Sequence, residues 1–296
     1  MIISLNGSLC DEKDAVVSAY DHGFLYGMGL FETFRTYQGK AFLLKEHLER
    51  LAQGCNSLAI QFQTDYSYWE QQMKQLLAVN DLVDGYFRLS ISAGVEALGL
   101  PATPYLNPTT ILYVKPLPLF EKRLYELGKP LQLLRLRRNS PEGAWRLKSF
   151  HYMNNIMAKQ ELTTYPWAIG AEGLFLNQAG VIAEGIVSNL FFIKQGKCYT
   201  PHLSTGILSG ITRQKVIELA EQMSIPMEQG LYSWEELISA DEIFLTNSIQ
   251  ELVPVTALFD LEGKQHTISK AAIGEITEQL LQRYCLLTKD PFDSQP

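Results

Sequence analysis

The 296-residue sequence has few cysteines and no long apolar run. Its four cysteines form no CxxC pair and no metal-ligand spacing, which is typical of buried or incidental thiols in a reducing compartment. No window reaches the length of a membrane-spanning helix. The N-terminus MIISLNGSLC also lacks the basic region and the longer apolar segment of a signal peptide. These absences predict a cytoplasmic globular protein.

An excess of positive charge is also absent. The chain has 25 basic and 32 acidic residues, a formal net charge of −7. This argues against a nucleic-acid surface, which needs a basic stripe. A small anion is not excluded, because a local pocket can be positive on an acidic protein. The length allows one large core or two medium ones, and it favours two domains.

Hydrophobic periodicity predicts a mixture of helices and strands in the first part of the chain. Asn6-Gly7 is a typical hairpin turn. Apolar residues recur at helical spacing in KEHLERLAQGCNSLAI and YSYWEQQMKQLLAVNDL, whereas GYFRLSISAG and TTILYVKPLPL are typical of strands. The segment PLPLFEKRLYELGKP has three prolines, although its centre permits a short helix. It is the best candidate boundary and divides residues 1–120 from residues 121–296.

The second part begins with a predicted strand, LQLLRLRR. RLKSFHYMNNIMAKQEL follows and is patterned to pack as a helix through Met153, Ile156 and Met157, with Lys148 just ahead of it. Two hairpins, GLFLNQAGVIAEG and SNLFFIKQGKCYTP, come next. We then expect the helices ITRQKVIELAEQM and SWEELISA, the strand EIFLTNS and the terminal helix SKAAIGEITEQLLQRYCLL, with KDPFDSQP as a frayed tail.

The stretch TGILSGITRQKVIELAEQ predicts a helix whose start suits an anion. Gly206 and Gly210 flank a tight connection, and Ser209 is the expected N-cap. Glycine lets backbone N–H groups approach a ligand, the helix dipole favours negative charge there, and Thr212 adds a hydroxyl. A capped helix start without a ligand is the commoner explanation of this pattern.

Three charged residues are open to two explanations each. Arg50 in HLERL either pairs on the surface with Glu46, four residues earlier, or directs its guanidinium at a phosphate. Glu184 lies between apolar strand segments, where a carboxylate needs a partner; it either caps a turn or binds a protonated ring nitrogen. Lys148 is either a solvated lysine or a buried amine, and burial frees the lone pair of an amine for Schiff-base chemistry.

These four features together describe one cofactor. A phosphate site, an arginine, an acid for a pyridine nitrogen and a desolvated lysine are the parts of a site for pyridoxal 5′-phosphate, PLP. Taken together they outweigh the ordinary explanation of each feature alone.

Six stretches carry a resemblance to a known family. DHGFLYGMGLFETFRTY, KEHLERL, RLKSFHYMNNIMAKQEL, AEGIVSNLFF, SGITR and TNSIQELVPV occur in the order and spacing of the fold-type-IV PLP enzymes. The chain resembles that family over most of its length. The resemblance implies an α/β (α+β) fold, with a small N-terminal α/β domain at residues 1–120 and a larger C-terminal PLP-binding domain at residues 121–296. The cofactor is expected in the cleft between them.

The resemblance also implies roles for individual residues. Lys148 is expected to be the Schiff-base lysine and proton shuttle, and Glu184 is expected to keep the pyridine nitrogen protonated. Either Lys148 or Thr33 is expected to relay a proton to the departing group. The phosphate ligands that it implies are Arg50, Ile211, Thr212 and Ser248. The residues that it implies beside the cofactor ring are Tyr152 and Leu208. The substrate-binding residues that it implies are Arg88, near a carboxylate, and Phe31.

Within this family, the details favour a lyase over an aminotransferase. Branched-chain aminotransferases usually show EGSGENLF and place their tyrosine five residues after the lysine, whereas here EGIVSNLFF occurs and Tyr152 comes four residues after Lys148. D-amino-acid aminotransferases have tyrosine where Phe31 stands. RRNSPEGAWRLKSFHYMNN and TNS are most similar to 4-amino-4-deoxychorismate lyases. The resemblance implies a homodimer that converts a small molecule to 4-aminobenzoate and pyruvate in folate biosynthesis.

Two alternatives remain open at this stage. One is a branched-chain or D-amino-acid aminotransferase of the same fold, which would share the PLP contacts. The other is a non-catalytic scaffold that keeps the fold and binds a phosphorylated ligand, although Lys148 and Glu184 are both present.

Overall fold

A computed structural model describes residues 1–119, 122–269 and 272–289. The chain divides into two compact units. The first unit holds Met1–Leu119 and Leu147–His151, together with Thr288 and residue 289. The second unit holds the described residues between Leu119 and Leu147 and those of Tyr152–Leu287. The predicted boundary at residues 120 and 121 and the tail after residue 289 lie outside the described residues.

The elements of the first unit are β1 Ile2–Leu5, β2 Ser8–Asp11, α1 His22–Tyr26, β3 Gly29–Tyr37, β4 Lys40–Ala41, α2 Leu44–Ser57, α3 Tyr66–Val79, β5 Tyr86–Ser92 and β6 Thr109–Lys115. The described strands form a six-stranded sheet with the order β2-β1-β6-β5-β3-β4. Side chains of α2 and α3 join those of the sheet in one core, which includes Leu48, Met73 and Phe87.

The elements of the second unit are α4 Lys122–Leu127, β7 Lys129–Leu133, α5 Met153–Leu162, β8 Glu172–Leu176, β9 Ile182–Gly185, β10 Asn189–Lys194, β11 Lys197–Pro201, α6 Ile211–Gln222, β12 Met227–Gly230, α7 Trp234–Ile238, β13 Glu242–Asn247, β14 Glu251–Phe259, β15 Gln265–Thr267 and α8 Glu275–Lys289. They are built on a larger sheet, in which eight described strands follow the order β12-β11-β10-β13-β14-β7-β8-β9 and β15 pairs with β14. The predicted mixed α/β class is therefore confirmed.

The predicted packing of α5 is wrong. Met153, Ile156 and Met157 are 73%, 56% and 47% exposed, and the buried residues of the helix include Asn155. The polar side turns inward because the Asn155 side chain bonds to Arg138 and to the backbone of Ile186. A helical pattern identifies the helix, but the partners available in the fold decide which face is buried.

Strands β3 and β14 were not predicted from the sequence, and several predicted elements differ at their ends. The predicted strand LQLLRLRR is shorter in the structure, because β7 ends at Leu133. The last helix begins at Glu275, and residues 270 and 271 of its predicted start lie outside the described residues. In the part of the chain that is described, no helix is long and apolar enough to cross a membrane.

Candidate active site

The segment that carries Lys148 pairs with the first residues of β3. Phe31 N donates to Lys148 O at 2.9 Å, and Phe150 N donates to Gly29 O at 2.9 Å. A Cβ atom at Gly29 would collide with the Phe150 ring, so this close approach requires glycine. The backbone of Lys148 is therefore held against a strand of the first unit.

The side chain of Lys148 lies beside three other residues that the resemblance selects. Lys148 Nζ is 4.8 Å from the centroid of the Phe31 ring, and Arg88 Cζ is 3.6 Å from the same centroid. Thr33 is directly opposite Arg88 in the β3–β5 pair and lies two residues from Phe31, so its side chain shares their face. Lys148 is half-buried, and the first unit brings these four residues together.

Arg88 also lines a cavity of about 280 Å³ on the first unit. Its Nε donates to Ser90 Oγ at 3.2 Å, and the hydroxyls of Thr109 and Tyr113 line the same cavity. Burial raises the pKa of Tyr113, with the charge of Arg88 opposing, so the hydroxyl remains protonated at neutral pH. Asp21 lines this cavity too and accepts a hydrogen bond from Thr109 Oγ1 at 2.8 Å. The groups that suit an anion here are therefore the Arg88 guanidinium and the Tyr113 hydroxyl.

Arg50 binds a buried carboxylate of the first unit. Its Nε and Nη2 donate to Glu32 Oε1 and Oε2 at 2.7 and 2.6 Å, and His47 Nδ1 donates to Glu32 Oε2 at 2.7 Å. The ordinary explanation, a surface pair with Glu46, is therefore wrong. Sequence reasoning missed Glu32 and His47. The alternation in β3 was an available signal, because Glu32 lies between the inward-facing Leu30 and Phe34.

We expect Glu32 to make the stability of the protein depend on pH. Burial alone would raise the pKa of Glu32, but the charge of Arg50 and the hydrogen bond from His47 lower it from 4.5 to about 2. This carboxylate therefore stabilises the fold fully above pH 4.5, and that contribution is lost as the pH falls towards 2. The loss should be on the order of 3 kcal/mol of unfolding free energy.

Urea unfolding of the wild type and of Glu32→Gln at a series of pH values measures this contribution. Glu32→Gln should be less stable at neutral pH, and the difference should shrink as the pH approaches 2. Glu46→Gln on the same helix as Arg50 is the control and should show no such convergence. A difference that stays constant with pH would contradict the assignment.

In the second unit, Glu184 lies in β9 and is surrounded by donors. Arg138 Nε donates to Oε1 at 2.9 Å, while Leu208 N and Asn189 Nδ2 donate to Oε2 at 2.9 and 3.2 Å. Arg146 Nε is 3.8 Å from Oε1. A carboxylate can accept about four hydrogen bonds, so Oε1 retains a lone pair for one further donor.

Sequence reasoning missed Arg138, which is the ion-pair partner of Glu184. Its Nη1 also donates to the side-chain oxygens of Asn154 and Asn155, at 2.9 and 3.1 Å. Burial and the neighbouring Arg138 lower the pKa of Arg146 to about 10, with Glu184 opposing. No local pattern marks these pairs, because the partners are far apart in the sequence.

The start of α6 has backbone donors that suit an anion. The helix begins at Ile211 with Gly210 as its N-cap, so the predicted N-cap Ser209 is wrong. A Cβ atom at Gly210 would collide with Asn189 Oδ1. The first N–H groups of a helix, here those of Ile211 and Thr212, have no acceptor within the helix.

The other second-unit residues selected from the sequence lie at the ends of elements. Leu208 lies two residues before the N-cap of α6, Ser248 is in the turn after β13, and Tyr152 is the N-cap of α5.

The residues present fit PLP by two tests on the structure. Thr212 Oγ1 is buried at the start of α6 without a hydrogen-bond partner, which suits a phosphate oxygen. Glu184 Oε1 accepts one hydrogen bond, from Arg138 Nε, so it has a lone pair left for a further donor such as a protonated ring nitrogen. Both features are expected where a phosphorylated pyridine binds.

Comparison with known proteins identifies the family. The model of the family Amino-transferase class IV matches residues 29–258. The aminodeoxychorismate lyase of Bacillus subtilis is 44% identical, with 92% of each chain covered. A putative branched-chain-amino-acid aminotransferase of Methanocaldococcus jannaschii is 36% identical, with 96% of this chain and 95% of that protein covered.

Solved structures agree with these matches. The 4-amino-4-deoxychorismate lyase of Pseudomonas aeruginosa has a TM-score of 0.83 and 30% identity, covering 97% of this chain and 98% of that chain. A branched-chain amino acid aminotransferase of Escherichia coli has a TM-score of 0.85 and 25% identity, covering 97% of this chain and 94% of that chain. The predicted fold of the fold-type-IV PLP enzymes is confirmed, and the chain belongs to the amino-transferase class IV family.

Proposed function

We propose that the protein is a cytoplasmic, PLP-dependent 4-amino-4-deoxychorismate lyase that forms 4-aminobenzoate and pyruvate for folate biosynthesis. The observation that carries this proposal is the 44% identity to the Bacillus subtilis lyase over 92% of both chains. The Arg88 guanidinium, which lines the cavity of the first unit, supports it, because the substrate carries carboxylates.

PLP, when bound, supplies an aldehyde for the substrate amine and a ring that withdraws electrons from the carbon bearing that amine. Glu184 accepts a hydrogen bond from the pyridine nitrogen and keeps a proton on it. Arg50, Ser248 and the N–H groups of Ile211 and Thr212 hold the phosphate. Tyr152 and Leu208 contact the cofactor ring.

The residues of the first unit act on the substrate. The amine of Lys148 removes the proton from the amine-bearing ring carbon. The bond between the neighbouring ring carbon and the enolpyruvyl oxygen then breaks, so that enolpyruvate leaves and the ring becomes aromatic. Thr33 or Lys148 delivers a proton to the departing group. Arg88 holds a carboxylate, and Phe31 orients the Lys148 amine by lying beneath it.

A branched-chain or D-amino-acid aminotransferase is the second candidate. The 36% identity to the archaeal aminotransferase supports it. In both reactions Lys148 would remove the proton from the carbon that bears the substrate amine, but an aminotransferase also needs a 2-oxo acid to accept the amino group. Contacts to the cofactor therefore do not separate the two reactions.

An assay with purified protein and PLP separates the candidates. Aminodeoxychorismate should give 4-aminobenzoate and pyruvate in equal amounts without any 2-oxo acid. Glutamate with a branched 2-oxo acid, and D-alanine with 2-oxoglutarate, are the matched aminotransferase assays. Rapid amination in either of these, without release of 4-aminobenzoate, would refute the lyase and favour the alternative.

We also propose that the protein is a homodimer. The exposed side of α5, with Met153, Ile156 and Met157, is apolar in the single chain, and a second copy of this chain would remove it from water.

Light scattering after size-exclusion chromatography should give twice the 33.5 kDa mass of the chain. Replacing Ile156 with glutamate should shift the mass towards that of the monomer. The exposed Lys159→Glu on the same helix is the control, and a monomeric wild type would contradict the proposal.

A further inference from the structure

Buried polar atoms without a hydrogen-bond partner are concentrated at one place in the second unit. Three of the five such side-chain atoms among the described residues are Thr212 Oγ1, Arg213 Nε and Thr246 Oγ1. The first two belong to the first turn of α6, and Thr246 lies in β13, against which α6 packs. Each of the three residues is only 2% exposed. Since an unpaired buried donor is unfavourable, this cluster indicates a missing acceptor.

The orientation of Thr246 follows from the register of β10 and β13. Thr246 is directly opposite Asn189 in this antiparallel pair, so the two side chains lie on the same face. Asn189 Nδ2 donates to Leu208 O at 2.9 Å and to Glu184 Oε2 at 3.2 Å, and its Oδ1 abuts Gly210. The Thr246 side chain therefore lies on the face that carries Glu184 and the start of α6.

The same helix start has a buried cation that is paired only with neutral groups. Arg213 Nη2 donates to Pro201 O at 3.0 Å and to Gln229 Oε1 at 2.7 Å. Burial lowers the pKa of Arg213 to about 10, and the charge of Glu184 opposes this effect. A buried charge without an ion pair is unfavourable, so a bound anion nearby would stabilise it.

We propose that Thr246 is a further phosphate ligand, donating its hydroxyl hydrogen to the phosphate of PLP together with Thr212 Oγ1 and the first N–H groups of α6. Arg213 supplies positive charge behind this site. A phosphate has only acceptor oxygens in its dianionic form, so it satisfies each of these donors. The inference rests on the proposed function for the identity of the ligand, a pyridine that carries a phosphate ester.

Titration of the apo forms of the wild type, Thr246→Val and Thr246→Ser with PLP and with pyridoxal tests this role. Valine keeps the shape of threonine but lacks the hydroxyl. Thr246→Val should bind PLP about 10- to 100-fold more weakly, the range for one hydrogen bond to a charged acceptor. Its affinity for pyridoxal, which has no phosphate, should be unchanged. Thr246→Ser should stay within about threefold of the wild type for PLP, because it keeps the donor.

Unfolding of the apo proteins separates binding from structure. Apo Thr246→Val should be at least as stable as the apo wild type, because an unpaired buried hydroxyl has been removed. The matched control is Thr200→Val in the same unit, since Thr200 Oγ1 donates to Leu190 O at 2.8 Å. That variant should lose stability in the apo form and keep its affinity for PLP.

The outcomes distinguish this inference from the proposed function. Thr246→Val that binds PLP as tightly as the wild type, or that loses affinity for pyridoxal by the same factor, overturns the role of Thr246. A wild type that binds PLP but releases no 4-aminobenzoate overturns the lyase reaction alone, and the binding results still decide the role of Thr246. A wild type that does not bind PLP overturns both.

Discussion

Lys148→Ala should abolish the visible absorbance of bound PLP and lower turnover by about 10³-fold or more. The reason is that the proposed reaction uses the Lys148 amine both to bind the cofactor aldehyde and to move the substrate proton. Lys148 Nζ lies 4.8 Å from the centroid of the Phe31 ring, and the Arg88 guanidinium lies over the same ring. Alanine removes the amine without adding bulk to the segment that pairs with β3.

The control for this experiment is Lys159→Ala, which removes an exposed lysine from α5. It should keep the absorbance and the turnover of the wild type. Equal urea-unfolding curves for Lys148→Ala and the wild type in the apo form would show that the loss is chemical and not structural. Retention of the full visible absorbance by Lys148→Ala would show that a different amine holds the cofactor.

Glu184→Gln should lower both stability and turnover. Arg138 is buried and would keep its charge without the carboxylate, which costs about 3–5 kcal/mol of unfolding free energy for a broken buried pair. Turnover should fall by about 10²–10³-fold, because the amide cannot supply the negative charge proposed to hold the proton on the pyridine nitrogen. Urea unfolding and the rate of 4-aminobenzoate release measure the two effects separately.

Two further variants separate the structural part from the chemical part. Glu184→Gln combined with Arg138→Met should recover stability, because removing both partners of a buried pair is less costly than removing one. It should not recover turnover. Glu242→Gln removes another buried carboxylate of the second unit, which accepts from Ile276 N and Thr277 N. It should lose stability with turnover per folded molecule unchanged. Recovery of turnover in the double variant would contradict the role of Glu184.

Short-range patterns in the sequence were sufficient for most of the fold. The periods of 3.6 and 2 residues place α2, α3, α6, β5 and β13 within a few residues of their observed ends. Asn6-Gly7 forms the predicted turn, with both residues at positive φ. These predictions succeed because a helix or a hairpin depends on neighbours within a few positions of the chain.

The candidate site was predictable only in part, because the partners of its residues are distant in the sequence. The motifs selected Lys148, Arg88 and Phe31, and the pairing of β3 with β5 and with the Lys148 segment brings them together. The roles that the resemblance gives to these residues, and to Arg50, Glu184 and the phosphate ligands, remain predictions. The N-cap of α6 was misplaced by one residue because the contact between Gly210 and Asn189 is tertiary.

The sequence by itself determined most of the helices and strands and the family, since each is encoded in local spacing or in short motifs. Only the tertiary structure decided which charges meet. Arg50 binds Glu32 instead of its helical neighbour Glu46, and Glu184 binds Arg138 from a distant segment. The tertiary structure also decided that the apolar side of α5 is exposed. The physical reason is that a buried charge takes the best partner within reach in space, and periodicity along the chain carries no information about that distance.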